Sequence, residues 1–324
     1  MEIDLASFPI AELIGSSVDT MAVTALPLDC WLKERLKHWV QLSGHEGSIV
    51  PATEYTLWKK RAGTDFSEAA AYRKLMNDAV RPYVPHFVKD VVYKDESFIE
   101  IEDLTAHFKS PSVMDVKMGT RTFLENEVRN PSKRYDLYQK MIKQSPSEPS
   151  EEEHQEQAIT KLRYMQFRER ESSTTSLGFR VEAMKRWKEP CRKCFQKVKA
   201  RDEVQRTLCQ FLEPQRRPRI RDQFLQRLKA IRAAVERSEF FRTHEIVGSS
   251  LLFVYDDESA GVWMIDFAKC MPFCETDPPV DHRSTWELGN REDGYLTGLD
   301  NIIQLLENTR QPNGVIVREK EPMH

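Results

Sequence analysis

The sequence has no long apolar run and no basic, apolar leader. Its longest apolar stretches, SSLLFVY and VWMIDF, are only as long as a β-strand, whereas a bilayer span needs about 20 apolar residues. The first residues, MEIDLASFPIAELIGSSVD, lack both the basic start and the apolar core of a signal peptide. We therefore expect a soluble, cytoplasmic protein with no membrane insertion.

Cysteine is also sparse, with six residues in a chain of 324. Cys191 and Cys194 form one C-x-x-C pair, and Cys270 and Cys274 form a C-x-x-x-C pair. The two pairs are separated by too long a stretch for a compact zinc ribbon. We expect reduced thiols here, rather than a zinc site or a disulfide framework.

The net charge of −3 conceals two segments of opposite sign. Residues 144–157 contain five glutamates and no lysine or arginine, whereas residues 161–201 contain 13 basic residues and four glutamates. A basic block of this kind is typical of polyanion binding. The aromatic residues within it form no known nucleic-acid motif, so we expect no nucleic-acid partner. The acidic segment is interpreted as a solvated connection outside any site.

Two strand-like segments place charged residues in apolar surroundings. In PSVMDVKMG, 111–119, strand alternation puts Asp115 and Lys117 on one face and methionine and valine on the other. VWMIDF ends in Asp266, and a buried carboxylate is costly unless a cation accompanies it. Phosphoryl transfer needs a carboxylate that takes a hydroxyl proton, a carboxylate that holds a metal, and lysines for phosphate. Asp115, Asp266, Lys60 and Lys117 could supply them.

The periodicity of the remaining sequence mixes strands and helices. Alternation predicts strands over 54–60, 86–93, 97–104, 244–256 and 261–269, the last two joined as a hairpin around DDESAG. Helical spacing predicts helices over 64–80 and 220–238, and a closing helix after NREDGY.

Several motifs resemble those of one enzyme family. PSVMDVKMG matches the P-x-x-x-D-x-K-x-G signature of the inositol polyphosphate kinases, and GSSLLFVYD and MIDFAK resemble its two later motifs. Six further segments resemble landmarks of the inositol-trisphosphate 3-kinase branch: WVQLSGHEGS, RPYVP, YDLYQKMI, RYMQFRE, SSTTSLGFR and NREDGYLTGL. The resemblance extends from about Trp31 to Glu307.

This resemblance implies an α+β fold, the protein-kinase-like, two-lobed inositol polyphosphate kinase fold with an inserted helical substrate-binding lobe. The corresponding domains are an N-terminal leader, 1–29; an N-terminal ATP-binding lobe, 30–104; a C-terminal catalytic lobe, 105–121 and 188–324; and an inserted helical inositol-phosphate-binding lobe, 122–187.

The implied reaction is transfer of phosphate from ATP, with Mg²⁺, to the 3-hydroxyl of inositol 1,4,5-trisphosphate, giving the 1,3,4,5-tetrakisphosphate in calcium and inositol phosphate signalling. The branch resemblance also favours activation by Ca²⁺/calmodulin. The segment CWLKERLKHW, 30–39, is a candidate binding helix because it has tryptophan anchors among basic residues. Packing of this helix on the N-terminal lobe would explain the same pattern. We expect a monomer.

The resemblance also assigns residues. Asp115 and Lys117 are the expected catalytic residues, and Glu68 is expected to pair with Lys60. The expected ATP contacts are Ser48, Lys60, Glu102, Asp103, Leu104 and Lys185, and the expected metal ligands are Asp266 and Ser250. The expected substrate contacts are Lys117, Arg134, Lys140, Lys161, Tyr164, Arg168 and Lys269. Four positions depart from the family pattern: Ala268, where glycine is common and strain in the turn is expected; Tyr135, which replaces a basic residue; and Leu162 and Phe167, which replace a usual proline and a usual tryptophan.

Two other functions fit parts of this pattern. A broader inositol polyphosphate multikinase is expected to lack the long insertion at 122–187. A catalytically silent inositol phosphate or calmodulin scaffold would not need all four of Asp115, Lys117, Lys60 and Asp266.

Overall fold

The N-terminal part of the described chain is a four-stranded antiparallel sheet carrying one helix. The computed structural model describes residues 48–61, 67–93, 95–195, 197–213, 217–274, 277 and 279–309, so the expected leader and the 30–39 helix lie outside the described residues. The elements are β1 (Ile49–Pro51), β2 (Thr56–Lys60), helix α1 (Ser67–Leu75), β3 (Phe87–Tyr93) and β4 (Glu96–Glu102). The strands are ordered β1-β2-β4-β3.

A second antiparallel sheet forms the centre of the molecule. Its strands are β5 (Ser112–Met118), β6 (Phe179–Lys185), β8 (Ser250–Tyr255) and β9 (Ala260–Ile265), in the order β6-β5-β8-β9, while β7 (His244–Val247) pairs with β10 (Lys269–Pro272). The predicted strand 244–256 is therefore two strands. Gly248, at φ 75°, separates them, because glycine adopts this left-handed conformation readily.

Five helices connect β5 to β6 and form the insertion. They are α2 (Glu125–Val128), α3 (Tyr135–Gln144), α4 (Glu151–Glu156), α5 (Lys161–Arg170) and α6 (Thr174–Leu177). They enclose a small core that is separate from the main core and contains Leu137, Tyr138, Met141, Ile159, Tyr164 and Phe167. The predicted insertion continued to residue 187. Because β6 pairs along β5, we end the insertion at Gly178.

Four α-helices follow β6 in the described chain, and they pack on the central sheet, on β7 and on one another. They are α7 (Arg201–Leu212), α8 (Pro218–Val235), α9 (Glu239–Thr243) and α10 (Tyr295–Asn308). The apolar stripe of α8 is buried as its spacing predicts, with Phe224 and Leu228 fully enclosed. Within the described ranges, no helix is both long and apolar enough to cross a bilayer. The five cysteines in the described chain are free thiols.

Candidate active site

A cavity of about 720 Å³ opens where the N-terminal sheet, the central sheet and the insertion meet. Charged side chains dominate its wall, with seven basic and five acidic residues. The basic residues are Lys59, Lys60, Lys117, Arg168, Arg180, Lys197 and Lys269, and the acidic residues are Glu68, Glu169, Glu171, Glu182 and Asp266. A small polyanion would meet more positive than negative groups here.

Lys59 joins the two lobes at the mouth of this cavity. Its ammonium donates to Glu68 Oε1 of α1 at 2.5 Å and to Asp266 Oδ1, just after β9, at 2.7 Å. Burial alone would lower the pKa of Lys59, but the charges of Asp266 and Glu68 outweigh it and hold this pKa well above its ordinary value. The lysine is therefore a fixed cation on the inner face of the N-terminal sheet.

The expected pairing of Lys60 with Glu68 is wrong, because β2 presents its neighbour to the cleft. Lys60 borders the cavity, but its ammonium pairs with Glu96 and its side chain is 44% exposed. Side chains alternate faces along a strand. Thr56 and Trp58 both donate hydrogen bonds to Glu100 on the outer face of the sheet. Lys59 falls on the opposite face, and it forms the pair with Glu68 that was expected for Lys60.

Asp266 lies between two lysines and in an unusual backbone conformation. Its carboxylate is 2.7 Å from Lys59 Nζ and 3.9 Å from Lys117 Nζ. Burial raises the pKa of Asp266, but these two ammonium charges outweigh burial and lower it. Asp266 has φ 65°, a conformation that is uncommon outside glycine and is often found at functional sites. Strain at Ala268 was expected, but positive φ occurs at Asp266 and not at Ala268.

Ser250 and Asp266 fit a divalent cation. Ser250 pairs with Ile265 across β8 and β9, one residue before Asp266. Its hydroxyl oxygen is buried, and no residue in the described chain hydrogen-bonds to it. A carboxylate beside a buried hydroxyl offers the oxygen ligands that hard cations prefer.

Asp115 and Lys117 share one face of β5, as predicted, but only Lys117 reaches the cavity. Lys117 donates to the carbonyl of Gly248 at 2.9 Å and approaches Asp266. Asp115 lies one step deeper on the same face, is 1% exposed, and does not line the cavity. The structure therefore brings Lys117 and Asp266 together, whereas Asp115 is buried and outside the cavity lining.

Two expected substrate residues, Arg168 and Lys269, line the insertion side of the cavity, and a third, Lys161, is joined to Lys269 through Glu127. Lys161, on α5, and Lys269, at the start of β10, both contact the carboxylate of Glu127, at 3.3 and 2.6 Å. Arg168 lines the cavity wall. No described residue forms a hydrogen bond or ion pair with its guanidinium, which leaves it available for a bidentate contact with phosphate.

Three other expected substrate contacts do not line the cavity. Arg134 and Lys140 are exposed and bind Asp136, at 2.8 and 3.4 Å, and the neighbouring Tyr135 is also exposed. The ring of Tyr164 packs in the core of the insertion, 6.4 Å from that of Phe167. Its buried, apolar surroundings favour a structural role.

The expected nucleotide residues lie at different places around the cleft. Ser48 lines the cavity at the start of β1. Glu102, Asp103 and Leu104 connect the two sheets, but they do not line the cavity, and the N–H groups of Glu102 and Asp103 already donate to backbone carbonyls. Lys185 ends β6, away from the lining residues, and burial lowers its pKa.

Glu169 was not expected in the site, because its hydrogen-bond partner Thr122 is 47 residues away in the sequence. It is 6% exposed, and its carboxylate accepts hydrogen bonds from the Thr122 N–H at 2.6 Å and the Thr122 hydroxyl at 3.0 Å. Burial raises the pKa of Glu169 to about 7, although the Thr122 bonds and the charge of Arg180 oppose this rise. A carboxyl group on the cavity wall therefore titrates near neutral pH.

Arg180 and Glu182 were also missed, and a bulge in β6 brings both to the cavity. The register shifts between Asp115 and Val116 of β5, so that β6 has one extra residue, Glu182. Arg180 donates to Glu182 Oε1 at 2.9 Å and to Thr174 Oγ1 at 3.1 Å. Their only signal in the sequence was their place in the basic block of residues 161–201.

Comparison with known proteins identifies the family. The sequence model described as "Inositol polyphosphate kinase" matches residues 98–307, more than half of the chain. The chain belongs to this family. A "Crystal structure of Inositol Phosphate Multikinase Ipk2 in complex with ADP and Mn2+ from S. cerevisiae" has a similar fold, with a TM-score of 0.52 at 15% identity over 79% of this chain and 100% of that one. The expected α+β inositol polyphosphate kinase fold is confirmed.

Curated members of the inositol polyphosphate kinase family are similar along most of the chain. An "Inositol-trisphosphate 3-kinase homolog" from Caenorhabditis elegans is 54% identical over 295 residues, which is 90% of this chain and 59% of that protein. "Inositol-trisphosphate 3-kinase A" from Rattus norvegicus is 44% identical over 288 residues, 87% of this chain and 61% of that protein. The chain thus spans about three fifths of the length of these two relatives.

Proposed function

We propose that this protein phosphorylates the 3-hydroxyl of inositol 1,4,5-trisphosphate with ATP, giving the 1,3,4,5-tetrakisphosphate. The observation that carries the proposal is the linkage of Lys59, Glu68 and Asp266 across the lobes, beside a cavity wall supplied by the helical insertion. The names of the curated relatives support the choice of substrate and position. The insertion of 125–177 supports a 3-kinase over a broader multikinase.

In this proposal, residues at the cavity mouth position the nucleotide. Lys59 and Lys117 contact the phosphates of ATP, together with Ser48, which lies beside β2 in the N-terminal sheet. Asp266 and Ser250 hold Mg²⁺, which neutralises charge on the transferring phosphate when it is bound. Lys60 and the 102–104 segment are retained as nucleotide-binding candidates from the family pattern, together with Lys185.

Residues on the insertion side hold the substrate. A small, highly charged inositol phosphate must be recognised by charge-assisted hydrogen bonds, because it has little apolar surface to bury. Arg168 and Lys269 provide donors on the cavity wall, and Lys161 is joined to Lys269 through the carboxylate of Glu127. Arg134, Lys140 and Tyr164 remain candidates from the family pattern alone; the first two are exposed, whereas Tyr164 is buried in the core of the insertion.

Asp115 is our candidate for the group that takes the hydroxyl proton. Its position on the Lys117 face of β5 supports this role, since catalytic hydrogen bonds are often completed only when substrate binds. Asp115→Asn keeps the shape and removes the proton acceptor, so kcat should fall by about 10²–10⁴-fold while ATP binding persists. Near-normal turnover would make Asp115 a structural residue.

A substrate panel tests the proposed reaction. Purified protein is incubated with Mg-ATP and a set of inositol phosphates, and products are resolved by isomer. The 1,3,4,5-tetrakisphosphate should be the main product from the trisphosphate, and Asp266→Asn should abolish its formation at any Mg²⁺ concentration. Phosphorylation at another hydroxyl, or full activity of Asp266→Asn, contradicts the proposal.

We also propose Ca²⁺/calmodulin as a partner, and a cytoplasmic monomer as the working form. Support for the first comes from the pattern of CWLKERLKHW, with Trp31 and Trp39 as anchors. A peptide covering 25–45 should show a tryptophan emission shift on titration with Ca²⁺-calmodulin. An unchanged spectrum would remove this segment as the binding site.

A further inference from the structure

Glu127 connects two lysines that belong to different parts of the molecule. Its Oε1 accepts from Lys269 Nζ of the catalytic lobe at 2.6 Å, and its Oε2 accepts from Lys161 Nζ of the insertion at 3.3 Å. It also accepts from the N–H of Leu124 at 3.5 Å, as the third residue of α2. Both lysines are among the residues proposed to hold substrate phosphate.

The carboxylate of Glu127 is charged and accessible from solvent. Burial would raise the pKa of Glu127, but the hydrogen bond and charge of Lys269 outweigh it and lower this pKa below its ordinary value. The side chain is 25% exposed, and those of Lys161 and Lys269 are 34% and 43% exposed. A dissolved anion can therefore reach the same two ammonium groups.

We propose that Glu127 is a specificity-determining residue that occupies the anion position between Lys161 and Lys269 and competes there with substrate phosphate. Two lysine charges against one carboxylate leave this subsite with a single net positive charge. Such a subsite favours one phosphate and disfavours more densely phosphorylated inositols. This inference rests on the proposed function, since it assigns a role within the same substrate site.

Replacing the carboxylate should strengthen anion binding. Glu127→Gln keeps the side-chain length and an oxygen for the Leu124 N–H, but it frees both lysines from their counter-ion. Affinity for inositol 1,4,5-trisphosphate should rise by roughly three- to tenfold at low salt, as expected for a partly exposed charge. The gain should be larger for inositol hexakisphosphate and should shrink at about 0.5 M salt, where such charges are screened.

A matched control exists on α7. Glu203 is also the third residue of its helix, and its carboxylate accepts from the N–H groups of Lys199 and Ala200 at 3.2 and 3.0 Å. Glu203→Gln makes the same chemical change at the same helical position, away from the cavity lining. Its affinities for both inositol phosphates should equal those of the wild type.

The measurement is calorimetric titration with each inositol phosphate in the absence of ATP. The proteins are the wild type, Glu127→Gln, Glu203→Gln and the Lys161→Gln/Lys269→Gln variant with and without Glu127→Gln. We expect Glu127→Gln to bind both inositol phosphates more tightly than the wild type, and Glu203→Gln to bind them equally. The gain from Glu127→Gln should disappear when Lys161 and Lys269 are also replaced. Unchanged or weaker binding by Glu127→Gln, or a gain that persists without the lysines, overturns the inference but leaves the proposed function intact. A wild type that binds neither ligand overturns both.

Discussion

Adjacent lysines on β2 differ in surroundings, and we expect this difference to decide how much each contributes to catalysis. Lys59 is held between Glu68 and Asp266, whereas Lys60 forms an exposed pair with Glu96. Lys59→Ala should lower kcat/KM by about 10²–10³-fold, since it removes a fixed cation from the reacting phosphate. Lys60→Ala is the comparison variant and should lower kcat/KM by a much smaller factor, because the Lys60 ammonium is exposed and already paired with Glu96.

Steady-state kinetics with varied ATP, accompanied by thermal melts of both variants, would check this assignment. The melts are needed because the loss of Lys59 leaves two carboxylates without their counter-ion. If Lys60→Ala were the more damaging substitution in a folded protein, the expected role would return to Lys60.

The buried carboxyl of Glu169 should make substrate binding depend on pH. Its pKa is about 7, above that of an unfolded glutamate, so the group is largely neutral at pH 6 and ionised at pH 8. Ionisation adds a negative charge to the cavity wall and costs stability, because burial favours the neutral form. The trisphosphate KM should therefore rise by a few-fold from pH 6 to pH 8, and Glu169→Gln should lack this rise.

Substrate phosphates also titrate in this range, so the ratio of wild-type to Glu169→Gln KM at each pH is the useful quantity. Titration of the ligand cancels in that ratio, and only the protein group remains. A ratio that stays constant between pH 6 and pH 8 would rule out Glu169 as the titrating group.

At the scale of elements, the acidic segment 144–157 is part of the insertion's structure, contrary to its interpretation as a solvated connection. It contains α4, and Glu148 and Glu153 bind Arg163 of α5 at 2.8 and 2.9 Å. Helix α5 also carries Lys161 and Arg168. The segment therefore orients the helix that carries two of the residues proposed to bind substrate.

Removing this anchor should affect substrate more than nucleotide. Arg163→Ala should raise the trisphosphate KM by about three- to tenfold, leave the ATP KM near normal and lower the melting temperature by a few degrees. Arg206→Ala, which removes an exposed pair with Asp202 on α7, provides the control and should change none of these values measurably. Equal effects on the two KM values would indicate general loss of structure.

Local patterns in the sequence predicted the strands and helices better than they predicted which side chains contact each other. Alternation correctly placed Asp115 and Lys117 on one face of β5, and helical spacing gave the buried stripe of α8. The choice between Lys59 and Lys60 depended on the register of β2 with β4, which TLWKK alone does not specify. Glu127 could not be recognised because its partner Lys269 is 142 residues away in the sequence.

For the whole molecule, a buried histidine should make stability depend on pH. Nδ1 of His282 lies 2.8 Å from the Asp293 carboxylate and Nε2 lies 2.9 Å from the carbonyl of Phe241, so both nitrogens must donate. Burial would lower the pKa of His282, but the charge of Asp293 outweighs it and raises this pKa. The pair joins the segment before α10 to α9.

The stability that His282 contributes is fully present below the ordinary histidine pKa of about 6.5. It is lost as pH rises through the raised pKa of His282 in the folded protein. Urea denaturation should therefore show that His282→Asn lowers the free energy of unfolding more at pH 6 than at pH 9. His107→Asn, which removes an imidazole stacked 5.5 Å from the Tyr55 ring, controls for the substitution itself. A His282→Asn effect independent of pH would mean that the imidazole is neutral.

The separate core of the insertion has a consequence for how this family can diversify. Leu137, Met141 and Phe167 pack among residues of the insertion, outside the core shared by the two sheets. Sequence changes in these helices can accumulate without disturbing the packing that supports phosphate transfer. If the insertion holds the substrate as proposed, acceptor choice and chemistry are partly decoupled, so a lineage can acquire a new acceptor by altering or shortening one peripheral module while it inherits the reaction unchanged.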